Sequence, residues 1–247
     1  MDALTAENLV KEYKAKSKKI RAVDGVGFCV HENEIFGLLG MNGAGKSTTI
    51  KMCTGLVKPD SGRCEIYGID IVKDPTEAKK LVNVSPQETA VAPLLSCREN
   101  LVLIARVYGA DKADAESRAA ETLALLKLED RANDRAGKLS GGLMRRLSIG
   151  MALITRPKLV FLDEPTLGLD VVARRELWKI ISDMQKRAAI VLTTHYLEEA
   201  EALCSRIAVM AHGRIAACGT AEELKAASGE SSFENAFLVL SGEETLL

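Results

Sequence analysis

The residue types and spacing of Gly40-Met41-Asn42-Gly43-Ala44-Gly45-Lys46-Ser47 point most directly to chemistry. Gly43 and Gly45 let successive backbone N–H groups turn inward around a phosphate, in conformations closed to residues with a Cβ. An apolar stretch, Ile35 to Leu39, precedes the run, and a helical pattern follows from Thr48. That helix aims its unsatisfied N–H groups and its positive dipole end at the same place. Lys46 adds a full charge toward the β and γ phosphates, and Ser47 offers its hydroxyl to Mg²⁺. The binding set drawn from this run is Gly40, Asn42, Gly43, Ala44, Gly45, Lys46, Ser47 and Thr48. Its implied ligand is a nucleoside triphosphate with magnesium.

Four further positions carry matching chemistry. The buried-strand pattern Leu159 to Leu162 delivers Asp163-Glu164-Pro165. Asp163 is placed to hold magnesium or its water, and Glu164, on the opposite side, to orient and deprotonate an attacking water. Pro165 is expected to keep Glu164 extended. A second apolar run, Ala189 to Thr193, ends near His195, and a shorter one, Leu81 to Ser85, ends near Gln87. The Gln87 carbonyl can reach a bound Mg²⁺ or its water, or the residue can be an ordinary loop amide. His195 can donate to a γ-phosphate or position Glu164 and the water. Apolar strands thus end at Gly40, Gln87, Asp163 and His195, and open parallel sheets bind ligands at the carboxyl ends of their strands. Two other features stay open in meaning. Ser140-Gly141-Gly142 is either a second anion-binding helix end or a plain connection. Tyr13 either packs on a sheet or stacks on a base.

The elements that must position these groups read as an α/β fold. Leu4 to Phe36 alternates in strand fashion with breaks, which predicts a small antiparallel meander. Lys58 to Gly62 is a turn and Arg63 to Tyr67 a strand. Between residues 97 and 155 strand signals give way to helical patterns at Cys97 to Tyr108, Ala113 to Leu128 and Leu143 to Ile154, predicting a helical insert. A helix near Ala173 to Lys186 separates the two buried strands. Ile207 to Met210 and Arg214 to Cys218 form a hairpin-like pair, followed by a helical tail over 220–247. The 247 residues suit one domain, with an antiparallel region at 1–36.

Composition narrows the partners. Lys plus Arg total 33 against 34 acidic residues, for a net charge of -1, so no global charge case exists for nucleic acid. Lys11 to Arg21 is locally basic and reads as a solvated hairpin. The 6 cysteines show no metal-ligand spacing and suit a reducing cytoplasm. No stretch reaches the roughly 18 apolar residues that span a bilayer, and no leader pattern opens the chain.

With these motifs assembled, the chain resembles the nucleotide-binding subunit of ATP-binding-cassette (ABC) transporters over essentially its whole length. Leu139-Ser140-Gly141-Gly142 looks like that family's signature. Phosphate loop, Gln87, signature, Asp163-Glu164, Leu169-Asp170 and His195 stand in the family's order. The stretches Ile35 to Gly40 and Thr194 to Glu201 are similar to the ABC-2 branch, which includes drug-, lipid- and polysaccharide-export ATPases. The resemblance implies a P-loop NTPase core with a mostly parallel sheet, an N-terminal antiparallel β subdomain and an inserted helical signature subdomain. It also implies ATP and Mg²⁺ as ligands, with Tyr13 on adenine and Gln87 facing the membrane partner. Asp170 falls at the subunit contact, and Ser140, Gly141 and Gly142 on nucleotide across a homodimer or heterodimer. Glu164 is then the base, His195 its linchpin and Lys46 the phosphate-binding cation, with Ser47, Gln87 and Asp163 around the metal. The partner is a separate transmembrane permease, which holds the subunit on the cytoplasmic face of the membrane. Met41, Asn33 and Leu143 replace the family's usual proline, glycine and glutamine. A soluble ABC-type ATPase acting on the ribosome or DNA is the alternative. Those relatives carry two cassettes or a long coiled-coil insertion, neither of which is seen here.

Overall fold

The computed structural model describes residues 1–15 and 18–242. The tip of the lysine-rich hairpin (16–17) and the end of the expected helical tail (243–247) lie outside the described residues. In chain order the elements are β1 (Asp2–Ala15), β2 (Lys18–His31), β3 (Ile35–Leu39), α1 (Lys46–Cys53), β4 (Ser61–Ile66), β5 (Ile69–Asp70) and α2 (Pro75–Leu81). Then come β6 (Val82–Ser85), α3 (Cys97–Val107), α4 (Lys112–Leu125), α5 (Gly141–Leu153), β7 (Leu159–Asp163), α6 (Val171–Met184) and β8 (Ala189–Thr194). The chain continues with α7 (Leu197–Leu203), β9 (Arg206–Ala211), β10 (Arg214–Gly219), α8 (Ala221–Ser228) and α9 (Phe233–Ser241).

β6, β7, β8, β3 and β9 run parallel, and β10 closes the edge antiparallel, in the order β10-β9-β3-β8-β7-β6. Apolar runs without alternation suit such strands because both faces are covered. Successive side chains still go to opposite faces. Phe161 and Val191 join the core beneath the antiparallel sheet, while Val160, Leu162, Ile190 and Leu192 join the core made with α3 to α6. Phe28 of β2 stacks on Phe36 of β3 at 5.2 Å and ties the two sheets together.

The antiparallel sheet has the order β2-β1-β4-β5, so its membership differs from the residue 1–36 expectation. Arg63 to Ile66 of β4 pairs with β1, whereas Ile35 and Phe36 belong to the parallel sheet. Two helices went unread. α2 carries a legible start in Asp74-Pro75-Thr76-Glu77: proline takes the first helical position, and the Asp74 carboxylate accepts from Glu77 N. The short α7 starts at Leu197, after His195 and the N-cap Tyr196.

In the helical insert, α3 starts on a reciprocal Ser96–Glu99 capping box, and α5 packs on α3 and α4 through Gly150. A Cβ at Gly150 falls 2.3 Å from Leu126 Cδ1, with Thr122 Cγ2 at 3.2 Å and Leu101 Cδ2 at 3.3 Å. Alanine there gains about 1 kcal/mol of helix propensity, against about 1–3 kcal/mol for overpacking. Gly150→Ala is therefore expected to destabilise the protein by about 1 kcal/mol in urea unfolding. A stabilised variant would show that Leu126 swings aside freely.

Candidate active site

β3 ends at Leu39, and the chain turns into the glycine loop at Gly40, where a Cβ would meet Met210 O at 2.3 Å. Gly45 has φ 106 and its Cβ would strike Ala22 O at 2.4 Å, so this position requires glycine on both backbone and packing grounds. Gly43, at φ 85, faces open space. α1 begins at Lys46 with no side-chain cap, and its first N–H groups are left for a ligand.

Lys46 is nearly buried, and its ammonium donates to Gly40 O at 2.7 Å and Met41 O at 3.3 Å. Glu164 Oε1 lies 3.6 Å from Nζ. Burial pushes the Lys46 pKa down, and the Glu164 and Asp163 carboxylates pull it back up. The other Glu164 oxygen, Oε2, is 2.8 Å from His195 Nδ1. A carboxylate only accepts, so Nδ1 carries the hydrogen. With Nδ1 so engaged, donation from Nε2 to a phosphate requires the imidazolium.

Asp163 and Glu164 part company at the end of β7. Asp163 Oδ1 accepts from Thr193 Oγ1 of β8 at 2.6 Å. Glu164 is not extended: its φ is 47, in the left-handed region. The expectation that Pro165 keeps it extended is corrected here. The tertiary contacts override the local preference, because Glu164 N turns back to donate to Thr193 O and Thr193 Oγ1, each at 3.1 Å. A non-glycine residue in such a conformation costs about 1–3 kcal/mol and persists only where its surroundings over-determine it.

The remaining expected residues stand apart from this group. Ser140 is exposed and caps α5, its Oγ accepting from Leu143 N at 3.5 Å. Gly142 packs against Ala173, with a virtual Cβ 3.2 Å from the Ala173 Cβ, and Gly141 faces open space. Asp170 caps α6, accepting from Val172 N and Ala173 N at 2.9 Å each. Tyr13 is partly exposed on β1, opposite Ile20. Gln87 is exposed at the end of the β6 connection. Ser47 and Thr48, in the first turn of α1, are half-buried. Among the described residues, no hydrogen bond or ion pair joins Tyr13, Gln87, Ser140 or Asp170 to Lys46, Glu164 or His195.

Three residues that sequence reasoning passed over complete the surroundings. Thr193 holds both Asp163 and Glu164, as above. Glu199 of α7 is fully buried and accepts from Trp178 Nε1 of α6 at 3.0 Å. Burial pushes its pKa up, and the hydrogen bond from Trp178 opposes the rise. Arg145 of α5 is buried against the turns after β6 and β7. Burial lowers its pKa, and the charges of Asp163, Glu199 and Glu164 raise it. A sequence signal for Arg145 exists, an arginine pair inside a largely apolar helix, but its partners are carbonyls that every residue carries.

Residues 23–167 match the family model described as ABC transporter. The linearmycin resistance ATP-binding protein LnrL of Bacillus subtilis is 41% identical over 222 residues, covering 90% of this chain and 70% of LnrL. The doxorubicin resistance ATP-binding protein DrrA of Mycobacterium tuberculosis is 42% identical over 234 residues, covering 94% of this chain and 70% of DrrA. A solved ATP-binding subunit of an ABC transporter superimposes with a TM-score of 0.83 at 31% identity, covering 96% of this chain and 99% of the other. The cassette MJ0796, a dimer in a post-hydrolysis state with ADP and Pi, superimposes with a TM-score of 0.79 at 26% identity, over 88% of this chain and 98% of its own. A lysine-bearing glycine loop, a carboxylate and a histidine in mutual contact at the ends of parallel strands match what these relatives bind. The chain belongs to the ABC transporter family, as an ATP-binding and ATP-hydrolysing subunit.

Proposed function

We propose that this subunit dimerises head to tail around two ATP molecules, with an identical or a related partner, and drives a separate ABC-2-type transmembrane permease from the cytoplasmic face of the membrane. The cargo class is a drug, lipid or polysaccharide moving outward, a reading supported by relatives named for resistance to linearmycin and doxorubicin. One observation carries the shared site. Lys46, Glu164 and His195 form a contact chain, whereas the second anion-binding helix end, Ser140 to Gly142, takes no part in it.

Within a site, the loop amides and Lys46 hold the phosphates, and Glu164, oriented by His195, takes the proton of the attacking water. Tyr13 stacks on adenine. The Ser47 hydroxyl, the Asp163 oxygen left by Thr193 and the Gln87 amide would supply the hard oxygens that Mg²⁺ prefers. When bound, the ion neutralises charge on the phosphates. Ser140 of the opposite subunit closes the site and Asp170 lies at the contact, so chemistry waits on association.

The permease has a surface to meet. Beside the Gln87 turn, Pro86, Ile104, Tyr108 and Met151 line a cleft of about 200 Å³, and Leu103, Val107 and Tyr108 of the α3 region are exposed. No helix among the described residues is long and apolar enough to cross a membrane. Co-purification of a polytopic membrane protein supports the transport reading, and ribosomes or DNA in its place overturn it.

Linked dimers test the shared site. With Lys46→Ala in one half and Ser140→Ala in the other, both lesions fall in one site and the second stays whole. With both substitutions in one half, each site carries a lesion. ATP turnover is expected to rank split above combined. The reverse order, which a site built within one chain requires, would sink the shared-site model.

A further inference from the structure

Arg145 belongs to the helical insert, five residues into α5 from Ser140, yet its guanidinium is bonded entirely to the ATPase core. Nε donates to Pro165 O at 2.9 Å and Nη2 to Asp163 O at 2.7 Å. Nη1 donates to Pro86 O and, at 3.1 Å, to Gln87 O. Its neighbour Arg146 is paired with the side-chain carboxylate of Glu176 on α6. Arg145 instead meets only main-chain carbonyls, from the two turns that follow β6 and β7.

The placement of these carbonyls is the informative part. Asp163 O precedes the Glu164 residue and Pro165 O follows it, so one planar fork pins both flanks of the left-handed backbone that aims the Glu164 side chain. The same fork pins the turn that presents Gln87. Five donors in a rigid plane can do this; a lysine ammonium, with three donors on one atom, cannot span the same acceptors. Apolar packing alone has no use for a buried cation, since a methionine fills the volume without the cost of desolvating a charge.

We propose that Arg145 is a positioning residue for ATP hydrolysis. It fixes the Glu164 and Gln87 turns to each other and to the helix whose N-terminus carries Ser140 to Gly142. Movement of that helix end against a partner's nucleotide is thereby transmitted to Glu164 of its own chain. The role rests on the reading of Glu164 as the base.

The test uses the full chain with Arg145→Met, which keeps the packing, and Arg145→Lys, which keeps the charge. Misplacing a reacting group by about 1 Å costs on the order of 100-fold, so kcat is expected to fall about tenfold or more in Lys and further in Met. KM for ATP and the nucleotide Kd are expected to stay within about twofold of wild type, because no phosphate contact is lost. The thermal midpoint and far-UV circular dichroism are read alongside. Wild-type kcat in Arg145→Met overturns the proposal, as does a kcat that falls only in step with the folded fraction. If Met fails to fold, Lys decides alone, and unchanged kcat there is equally fatal. Glu164→Gln, run in the same assay, separates the two readings. Wild-type turnover in that variant removes the base assignment, whereas wild-type turnover in both Arg145 variants beside an inactive Glu164→Gln overturns only the role of Arg145.

Discussion

Glu164→Gln is expected to lower ATP turnover by roughly 10²–10⁴-fold, the usual worth of a general base. Nucleotide affinity should hold, because the amide keeps the volume and still offers an oxygen to His195. The structure adds a reason for the loss to be specific. Glu164 is nearly buried between Lys46 at 3.6 Å and His195 at 2.8 Å, so the substitution removes a charge from the middle of a short chain of contacts and leaves the chain's geometry in place. The Lys46 ammonium then loses the charge of its carboxylate neighbour and keeps Gly40 O and Met41 O as acceptors. Mg-ATP should trap the variant as a dimer, read by light scattering. A monomer under those conditions, or wild-type turnover, contradicts the role given to Glu164.

Lys46→Ala is expected to weaken ATP binding by one to two orders of magnitude, since charge-assisted hydrogen bonds to phosphate contribute about 1.5–3 kcal/mol each. That figure is a difference. In the free protein the ammonium already has Gly40 O and Met41 O as acceptors, so binding exchanges some of these contacts for phosphate oxygens. Lys46→Arg should fail as well, because a planar guanidinium is too large for so closed a cradle. Wild-type affinity of Lys46→Ala in a nucleotide titration would remove the loop from the site.

What was legible in the sequence follows from the range of the interactions involved. Buried parallel strands announce themselves over five or six residues, and glycine, carboxylate and histidine at their ends fall on one sheet edge by topology alone. Ser140 as a cap was legible because its partner, Leu143 N, is three residues away. The Asp74-Pro75 start of α2 was equally local and was passed over beside a short apolar run that looked like strand. The rest was not local. β4 joins β1 across more than fifty residues, Thr193 reaches Asp163 across 30, and Arg145 reaches Pro86 across 59. The Glu164 backbone reverses a local preference of the residue before proline, because β8 supplies two acceptors that the dipeptide cannot foresee.

The Trp178–Glu199 hydrogen bond gives the protein a native optical probe. Trp178 is the chain's sole tryptophan, so its fluorescence is a one-site signal that needs no label. Its indole bridges α6, which opens on Asp170, to α7, which follows His195. Any step that parts those helices breaks the bond and further exposes the half-buried ring, and a shift of the emission to longer wavelength reports it in real time. Stopped-flow mixing with Mg-ATP can therefore watch the back of the site while phosphate release is followed at the front.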